Sequence, residues 1–432
     1  MDFANLQQAL NSLYGLNPGV IKLGLGNTRR LLDYFGNPQL KVPTIHIAGT
    51  NGKGSTAAFI ESILRSSGFK VGLYTSPHLL HFQERIQVNR SLIPAPDLMD
   101  MISRVQRAVA ILELPVTFFE FTTVMAFLYF LEKKTEWNVI EVGMGGRLDA
   151  TRLCQAKVSV ITSIGLDHTQ YLGNDLNRIA YEKACIINNF GTVIAHIENE
   201  AAFDVVKNVA LERSAPIKRS GKDFKVELKT ISSGSQTIDF ALGDIHLEDV
   251  EVPLLGRHQA TNAGLALAAC LELRSQGIPM NASTLRKGLE STRWEGRMEI
   301  ISRHPTIVLD CAHNPDAVRK LTYALRENFP FQRCILVLGM MADKPIDEML
   351  EIFSKIADHI ILTKPHQKRA MDPKKLTHRL QRDLNQIEVI NDISHALRTA
   401  KNAAKPDDLI CIAGSIFTVS EAKQFLTNET IA

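Results

Sequence analysis

Residues His46-Ile47-Ala48-Gly49-Thr50-Asn51-Gly52-Lys53-Gly54-Ser55-Thr56 run from an apolar, β-branched strand into glycines, one lysine and hydroxyls. A strand that ends in a glycine turn and reopens as a helix is half of a crossover unit, so this run commits the chain to α/β architecture with parallel strands. Its chemistry is equally narrow. Gly49, Gly52 and Gly54 allow tight turning with N–H groups pointing inward, Lys53 brings a mobile positive charge, and Ser55 or Thr56 can ligate the magnesium of a nucleotide. A helix from Thr56 to about Ser66 would place its positive dipole end behind the phosphates. The spacing departs from G-x-x-x-x-G-K-[ST], because Gly54 separates Lys53 from Ser55 and Ile47 stands five before Gly52. An ordinary glycine-rich turn, however, has no need of a lysine at its centre.

Strands and helices alternate along the rest of the chain, which predicts parallel sheets. Candidate strands in the first part are Thr44 to Ala48, Val71 to Ser76, Trp137 to Val142, Val158 to Ser163 and Thr192 to Ala195. Ligands of open α/β sheets bind outside the carboxyl ends of the strands, so Lys53, Ser76, Glu141 and His168 are expected to face one crevice. Between about Lys222 and Pro253 the pattern shortens to alternating runs, which predicts a small antiparallel excursion. A helix from His258 to about Leu273 and a shorter one near Ala282 to Leu289 follow. A second α/β unit has candidate strands at Thr306 to Leu309, Cys334 to Leu338, His359 to Leu362, Ile387 to Ile390 and Leu409 to Ala413. The expected division is 1–295 and 296–432, an N-terminal P-loop-type domain and a C-terminal Rossmann-like α/β domain.

With 432 residues, 45% of them apolar, the chain can bury more than one core. A formal net charge of +3 gives no reason to expect nucleic acid or an anionic membrane as partner. Six scattered cysteines without a C-x-x-C pair suit reduced thiols in a cytoplasm, and no secretory signal is visible at Met1 to Leu6. The longest apolar run, Phe118 to Leu131, is interrupted by Glu120, Thr122 and Thr123 and is too short to span a bilayer, so it reads as a buried helix.

Phosphoryl transfer to a carboxylate needs a phosphate cradle, magnesium ligands and cations near the transferred group. The Ser76 hydroxyl and the Glu141 carboxylate are hard oxygen donors of the type magnesium takes. Taken singly, Ser76 reads as a strand terminator, Glu141 as a strand-end charge and His168 as a turn cap; together at successive strand ends they read as a site.

The run Gly49 to Ser55, followed by Thr75-Ser76-Pro77-His78-Leu79 and Glu84-Arg85-Ile86, resembles the dihydrofolate synthase/folylpolyglutamate synthase family of Mur-type ATP-dependent amide ligases. So do Glu141 to Thr151, Ile164 to His168, Glu182-Lys183-Ala184, Gly296 to Glu299 and Asp310 to Pro315, in the same order. The resemblance implies ATP bound by Thr50, Asn51, Gly52, Lys53, Gly54, Ser55 and Thr56, with Asn262, Arg297, Asp310 and His313 completing the nucleotide site. It implies two magnesium ions, with Ser76 and Glu141 at the first and Glu141, His168 and a carbamylated Lys183 at the second. Lys53, Lys183 and His313 would act on the reacting groups. A pteroate substrate would lie on Ile21, Lys22 and Leu23, on Thr117, Phe118, Phe119 and Glu120, and on Leu148, Asp149 and Ala150.

The activity implied is ATP-dependent addition of L-glutamate to 7,8-dihydropteroate and to reduced folates through an acyl phosphate, by a monomer. A folylpolyglutamate synthase alone, or a Mur-type ligase with another acceptor, is the nearest alternative. A P-loop kinase or NTPase would need only the first domain and no glutamate. A non-enzymatic nucleotide-binding module would leave most of these residues idle.

Overall fold

The computed structural model describes residues 3–16, 22, 24–232, 234–377, 379–380 and 386–431. Ile21 and Leu23 of the expected pteroate loop lie outside the described residues, and Lys22 within it is exposed. The chain forms two compact units. The first comprises Met1–Glu227, Ile238–Glu251 and Thr261–Thr292, and the second Leu228–Thr237, Val252–Ala260 and Arg293–Ala432.

The first unit is built on eight strands: β1 (Thr44–Ala48), β2 (Val71–Tyr74), β3 (Ile86–Val88), β4 (Ser91–Leu92), β5 (Trp137–Glu141), β6 (Ala156–Ile161), β7 (Thr192–Ala195) and β8 (Ile217–Arg219). They lie in the order β4-β3-β2-β5-β1-β6-β7-β8. From β2 to β8 every neighbour is parallel, and only the β3 and β4 edge runs antiparallel. Thr44 to Ala48 are buried throughout, as expected of a central parallel strand covered on both faces. Against one face packs the helix Phe118–Glu132, which is apolar on all sides and therefore has no solvent face to keep. Phe121, Phe127 and Phe130 on it are fully buried with Tyr74 and Ile140, each such ring contributing ~2–3 kcal/mol of transfer free energy.

A three-stranded sheet of order β11-β10-β9 is formed by β9 (Phe224–Ile231), β10 (Gln236–Leu242) and β11 (Ile245–Val252). The two residues Gly243 and Asp244 that join β10 to β11 can only connect antiparallel strands.

The second unit carries six strands: β12 (Glu299–Arg303), β13 (Thr306–Leu309), β14 (Cys334–Leu338), β15 (His359–Leu362), β16 (Ile387–Val389) and β17 (Leu409–Ala413), in the order β12-β13-β17-β14-β15-β16. All pairs are parallel except β12 with β13. Val308, Leu336, Phe353 and Cys411 are among its core residues.

The mixed α/β class, the parallel sheets and the small excursion agree with expectation. Several boundaries differ; β6, for one, runs from Ala156 to Ile161, two residues earlier at each end than expected. The strand after Lys70 ends at Tyr74, because Thr75 and Ser76 leave the sheet. The phosphate-loop helix starts at Lys53 instead of Thr56. The helix after the excursion runs from Arg257 to Ser275. Strands β3, β4, β8 and β12 are additions, too short or too exposed to leave a pattern. No described helix is long and apolar enough to cross a membrane.

Candidate active site

The strands β2, β5, β1 and β6 are consecutive across the sheet and parallel, with Ile47 level with Glu141 and Ala48 level with Ile161. The residues that follow them therefore emerge along one edge: Ser76 after β2, Glu141 at the end of β5, Gly49 to Lys53 after β1, and Ser163 to His168 after β6. Sequence spacing alone sets this convergence, because each crossover returns the chain to the same end of the sheet.

The cradle is pinned from the β6 side. The Thr50 amide donates to the Ser163 carbonyl at 2.9 Å, the Asn51 amide to Ser163 Oγ at 2.9 Å, and Thr162 Oγ1 donates to the Asn51 carbonyl at 2.6 Å. A Cβ on Gly49 would stand 1.9 Å from Thr162 Oγ1. Gly52 caps the helix Lys53–Ser66 with φ of 85°, in the left-handed region, and a Cβ there would stand 2.5 Å from Asn262 Oδ1. Asn262 is thus held against the loop. The earlier helix start puts Lys53, Gly54 and Ser55 at the first three helical positions, where N–H groups lack intrahelical partners and suit an anion, while the Thr56 amide already bonds the Gly52 carbonyl at 2.9 Å. Thr56 Oγ1 is buried there with no hydrogen-bond partner. That orphaned hydroxyl, beside the free amides of the first turn, fits a bound phosphate and its metal.

Two lysines meet at one carbonyl. Lys53 Nζ donates to the Gly49 and Thr50 carbonyls at 3.1 and 3.2 Å, and Lys183 Nζ donates to the Gly49 carbonyl at 2.8 Å. Lys183, on the helix Leu176–Ala184, is buried; desolvation first, and the neighbouring Lys53 charge second, lower its pKa to about 7. The backbone of Gly146 packs against this helix, where a Cβ would meet the Glu182 carbonyl at 2.6 Å, and the Arg147 guanidinium bonds Glu182 at 2.9 Å.

The oxygen donors for a metal lie together: the Ser76 amide donates to Glu141 Oε2 at 3.1 Å, and Glu141 is buried. His168 takes the left-handed conformation before the short helix Thr169–Leu172, and its amide bonds the Asp167 carboxylate at 2.8 Å. Among the described residues no three histidine, cysteine or acidic side chains already form a cage.

Around the expected pteroate loops, several side chains serve the backbone. Thr117 and Glu120 form a reciprocal capping box on the helix Phe118–Glu132, and Glu120 Oε1 also accepts from Thr28 Oγ1 at 3.2 Å. Phe118 is buried, stacked 5.9 Å from Tyr14. Phe119 is half-buried with its ring over Gly143, where a Cβ would lie 2.5 Å away, and is the ring of the pair with an open side. Asp149 accepts from the Met144 amide at 2.9 Å and from the Thr151 amide and hydroxyl at 3.0 and 2.6 Å. It holds the loop that carries the half-buried Leu148 and the buried Ala150.

In the second unit, Asp310 follows β13. Its carboxylate accepts from the Met298 and Ala312 amides at 2.9 and 2.8 Å; burial raises its pKa and the Arg297 charge opposes that. His313 Nδ1 lies 2.8 Å from the Cys311 carbonyl, which can only accept, so Nδ1 carries the proton. Asn314 caps the helix Pro315–Asn328 with Pro315 in its first turn. Asn314 and Pro315 thus make the helix start, and the candidate nucleotide contacts Asp310 and His313 stand just before it.

One buried cation escaped the sequence reading. Arg85 is buried, with Nε donating to His78 Nδ1 at 2.8 Å and its guanidinium 5.3 Å from the Phe118 ring. Burial lowers its pKa, partly offset by Tyr74, Tyr14 and Glu141. The signal lay in the Glu84-Arg85-Ile86 motif, but nothing local to it says that an arginine is buried.

Residues 47–270 match the model of the Mur ligase middle domain and residues 296–416 that of the Mur ligase glutamate ligase domain. The Bacillus subtilis dihydrofolate synthase/folylpolyglutamate synthase is 31% identical over 98% of this chain and 100% of its own length. The chain belongs to the Mur ligase family, in its dihydrofolate synthase/folylpolyglutamate synthase branch. This Mur-type ligase is also 34% identical to a probable bifunctional folylpolyglutamate synthase/dihydropteroate synthase of Haloferax volcanii, of which it spans 51%, about half the length. Escherichia coli FolC in complex with DHPP and ADP superposes with a TM-score of 0.91 at 30% identity, covering 100% of this chain and 99% of that one. The Yersinia pestis bifunctional enzyme with Mn, AMPPNP and L-glutamate bound gives 0.87 at 28%, covering 99% of each.

Proposed function

We propose that this ligase uses ATP to join L-glutamate to pteroate-type carboxylates, converting 7,8-dihydropteroate to dihydrofolate and reduced folates to folylpolyglutamates. The observation that carries the reading is the cradle from Gly49 to Thr56, with Lys53 and Lys183 converging on the Gly49 carbonyl beside the strand end that bears Glu141. The acceptor carboxylate oxygen attacks the γ-phosphorus of ATP and ADP leaves, giving an acyl phosphate. The neutral amine of L-glutamate then attacks the acyl carbon, the C–O bond breaks, phosphate departs and the amine gives up a proton. Lys53 and the helix N-terminus neutralise charge on the transferred group. Asn262, Arg297, Asp310 and His313 serve the nucleotide, and the functional division falls between 1–295 and 296–432.

Two magnesium ions are part of the proposal; when bound they withdraw charge from the phosphoryl oxygens. Ser76 and Glu141 would hold the first, and Glu141, His168 and Lys183 the second. Lys183 fits carbamylation: buried beside another cation, a large share of its side chain is neutral amine near pH 7, the form that adds CO2 and releases a proton. Phe119, Leu148 and Ala150 would face the flat ring of the acceptor, with Thr117, Phe118, Glu120 and Asp149 shaping their surroundings. Six free, buried cysteines support a cytoplasmic setting, and the near-balanced charge supports small molecules as partners in place of nucleic acid or membrane. A monomer rests on the family resemblance alone.

A folylpolyglutamate synthase without the first activity is the second reading, favoured by 34% identity to the enzyme of that name from Lacticaseibacillus casei. ADP release with L-glutamate and either 7,8-dihydropteroate or tetrahydrofolate, with products identified by mass, separates the two. Turnover with both acceptors is expected; turnover with tetrahydrofolate alone selects the second reading, and with neither it removes both.

A further inference from the structure

His46 lies in the middle of β1, paired through the backbone with Ile140 of β5 on one side and Ser159 of β6 on the other, and is completely buried. Its Nε2 stands 2.8 Å from Thr151 Oγ1. The Thr151 hydroxyl has one proton and gives it to Asp149 Oδ1 at 2.6 Å, so toward His46 it can only accept. His46 is therefore neutral with its proton on Nε2, and Nδ1 is left buried without a hydrogen-bond partner. Burial is the main reason the ring stays neutral, with its pKa lowered to about 3. A leucine at this position would avoid the cost of an unpaired polar atom in the sheet, so the histidine makes physical sense through its one bond to Thr151.

That bond begins a chain of three groups that ends on the candidate acceptor loop. Asp149 in turn accepts the amides of Met144 and Thr151, which closes residues 144–151 into one clamped turn. We propose that His46 is a positioning residue: by donating to Thr151 it fixes the hydroxyl that fixes Asp149, and so sets the shape of the loop presenting Leu148 and Ala150 to the acceptor's ring system. The inference rests on the pteroate reading of that loop, and adds to it a determinant of acceptor binding beneath the loop, inside the sheet.

The test compares the parent enzyme with His46→Leu, Thr151→Val and Thr151→Ser. Amide exchange of residues 144–151, read by mass spectrometry without substrate, should lose protection in the first two and keep it in Thr151→Ser, which retains the hydroxyl. The KM for 7,8-dihydropteroate should rise about ten-fold in the first two, the equivalent of one net hydrogen bond, while the KM for ATP stays within about two-fold. A histidine-selective 15N spectrum of the parent should contain a neutral ring protonated at Nε2 that does not titrate between about pH 5 and 8 and that is missing from the spectrum of His46→Leu. Unchanged exchange in both breaking variants, or a signal lost in His46→Leu that belongs to a ring protonated at Nδ1, overturns the relay. Lost protection with both KM values moving together, or neither, overturns its link to the acceptor. If the parent turns over no pteroate-type acceptor, the functional reading fails while exchange and spectrum still decide the relay.

Discussion

Gly49 offers one carbonyl to the amino groups of two lysines, and the charge they bring there favours an anion nearby. Lys53→Ala should lower kcat for acceptor-dependent ADP release by at least ~10²-fold, as loss of one charge-stabilising donor does elsewhere, with the melting temperature little changed because the side chain is only half-buried; activity within a few-fold of the parent would remove Lys53 from the reaction. Carbamylation of Lys183 predicts that stripping CO2 from the buffer lowers turnover and that bicarbonate restores it; indifference to both would leave Lys183 a plain cation. His46 gives a pH prediction with a definite sign. Its ordinary pKa of 6.5 applies to the unfolded chain and about 3 to the folded one. Between those values the unfolded state binds more protons, so stability is whole above pH 6.5 and is lost as pH falls, by at most ~1.4 kcal/mol per unit. His78, at about 3, and His258, at about 4, are lowered by burial and act in the same direction. Urea midpoints measured from pH 7 down to about 4 should fall less steeply in His46→Gln; an unchanged slope would show that His46 titrates normally.

At the level of elements, close contacts between helices and loops decide how well the site is held. The helix Ala282–Glu290 lies on the phosphate-loop helix Lys53–Ser66 through Gly288, where a Cβ would come within 2.4 Å of Ile63 Cα. Gly288→Ala should therefore destabilise the fold by ~1–3 kcal/mol through overpacking, read as a lower denaturant midpoint; a neutral result would mean the two helices part easily. The same contacts explain what was legible in the sequence. Central strands such as β14 and β17 are continuous apolar runs, and β1 was legible from the glycine turn that follows it. The edge pair β3 and β4, of three and two residues, is too short for any periodicity to register. Thr117 to Glu120 carries the T-x-x-E signature of a capping box, and the structure uses it as one; reading it for ligand contacts alone missed the local chemistry. Arg85 and the pairing of His46 with Thr151, 105 positions away, depend on tertiary packing, which no local pattern encodes.

The molecule as a whole keeps all six cysteines buried and unpaired, and burial raises the thiol pKa of each of Cys154, Cys185, Cys270, Cys311, Cys334 and Cys411. Because the thiolate is the reactive form, the native protein should show no fast reaction with a thiol reagent, and six equivalents should react once denaturant unfolds it. Rapid native labelling would point to local opening around the thiol concerned. Chain order carries a consequence of a different kind. The first unit needs Thr261–Thr292 to be complete, whereas Leu228–Thr237 and Val252–Ala260 belong to the second. During synthesis the amino-terminal unit thus cannot finish folding when its first 227 residues have left the ribosome; its last helix, which packs on the phosphate-loop helix, arrives some 60 residues later. Where most two-domain chains hand a finished first domain to the second, this one must hold the nascent nucleotide cradle open until late in translation, so a slow codon placed soon after Thr292 would favour its assembly more than one placed before.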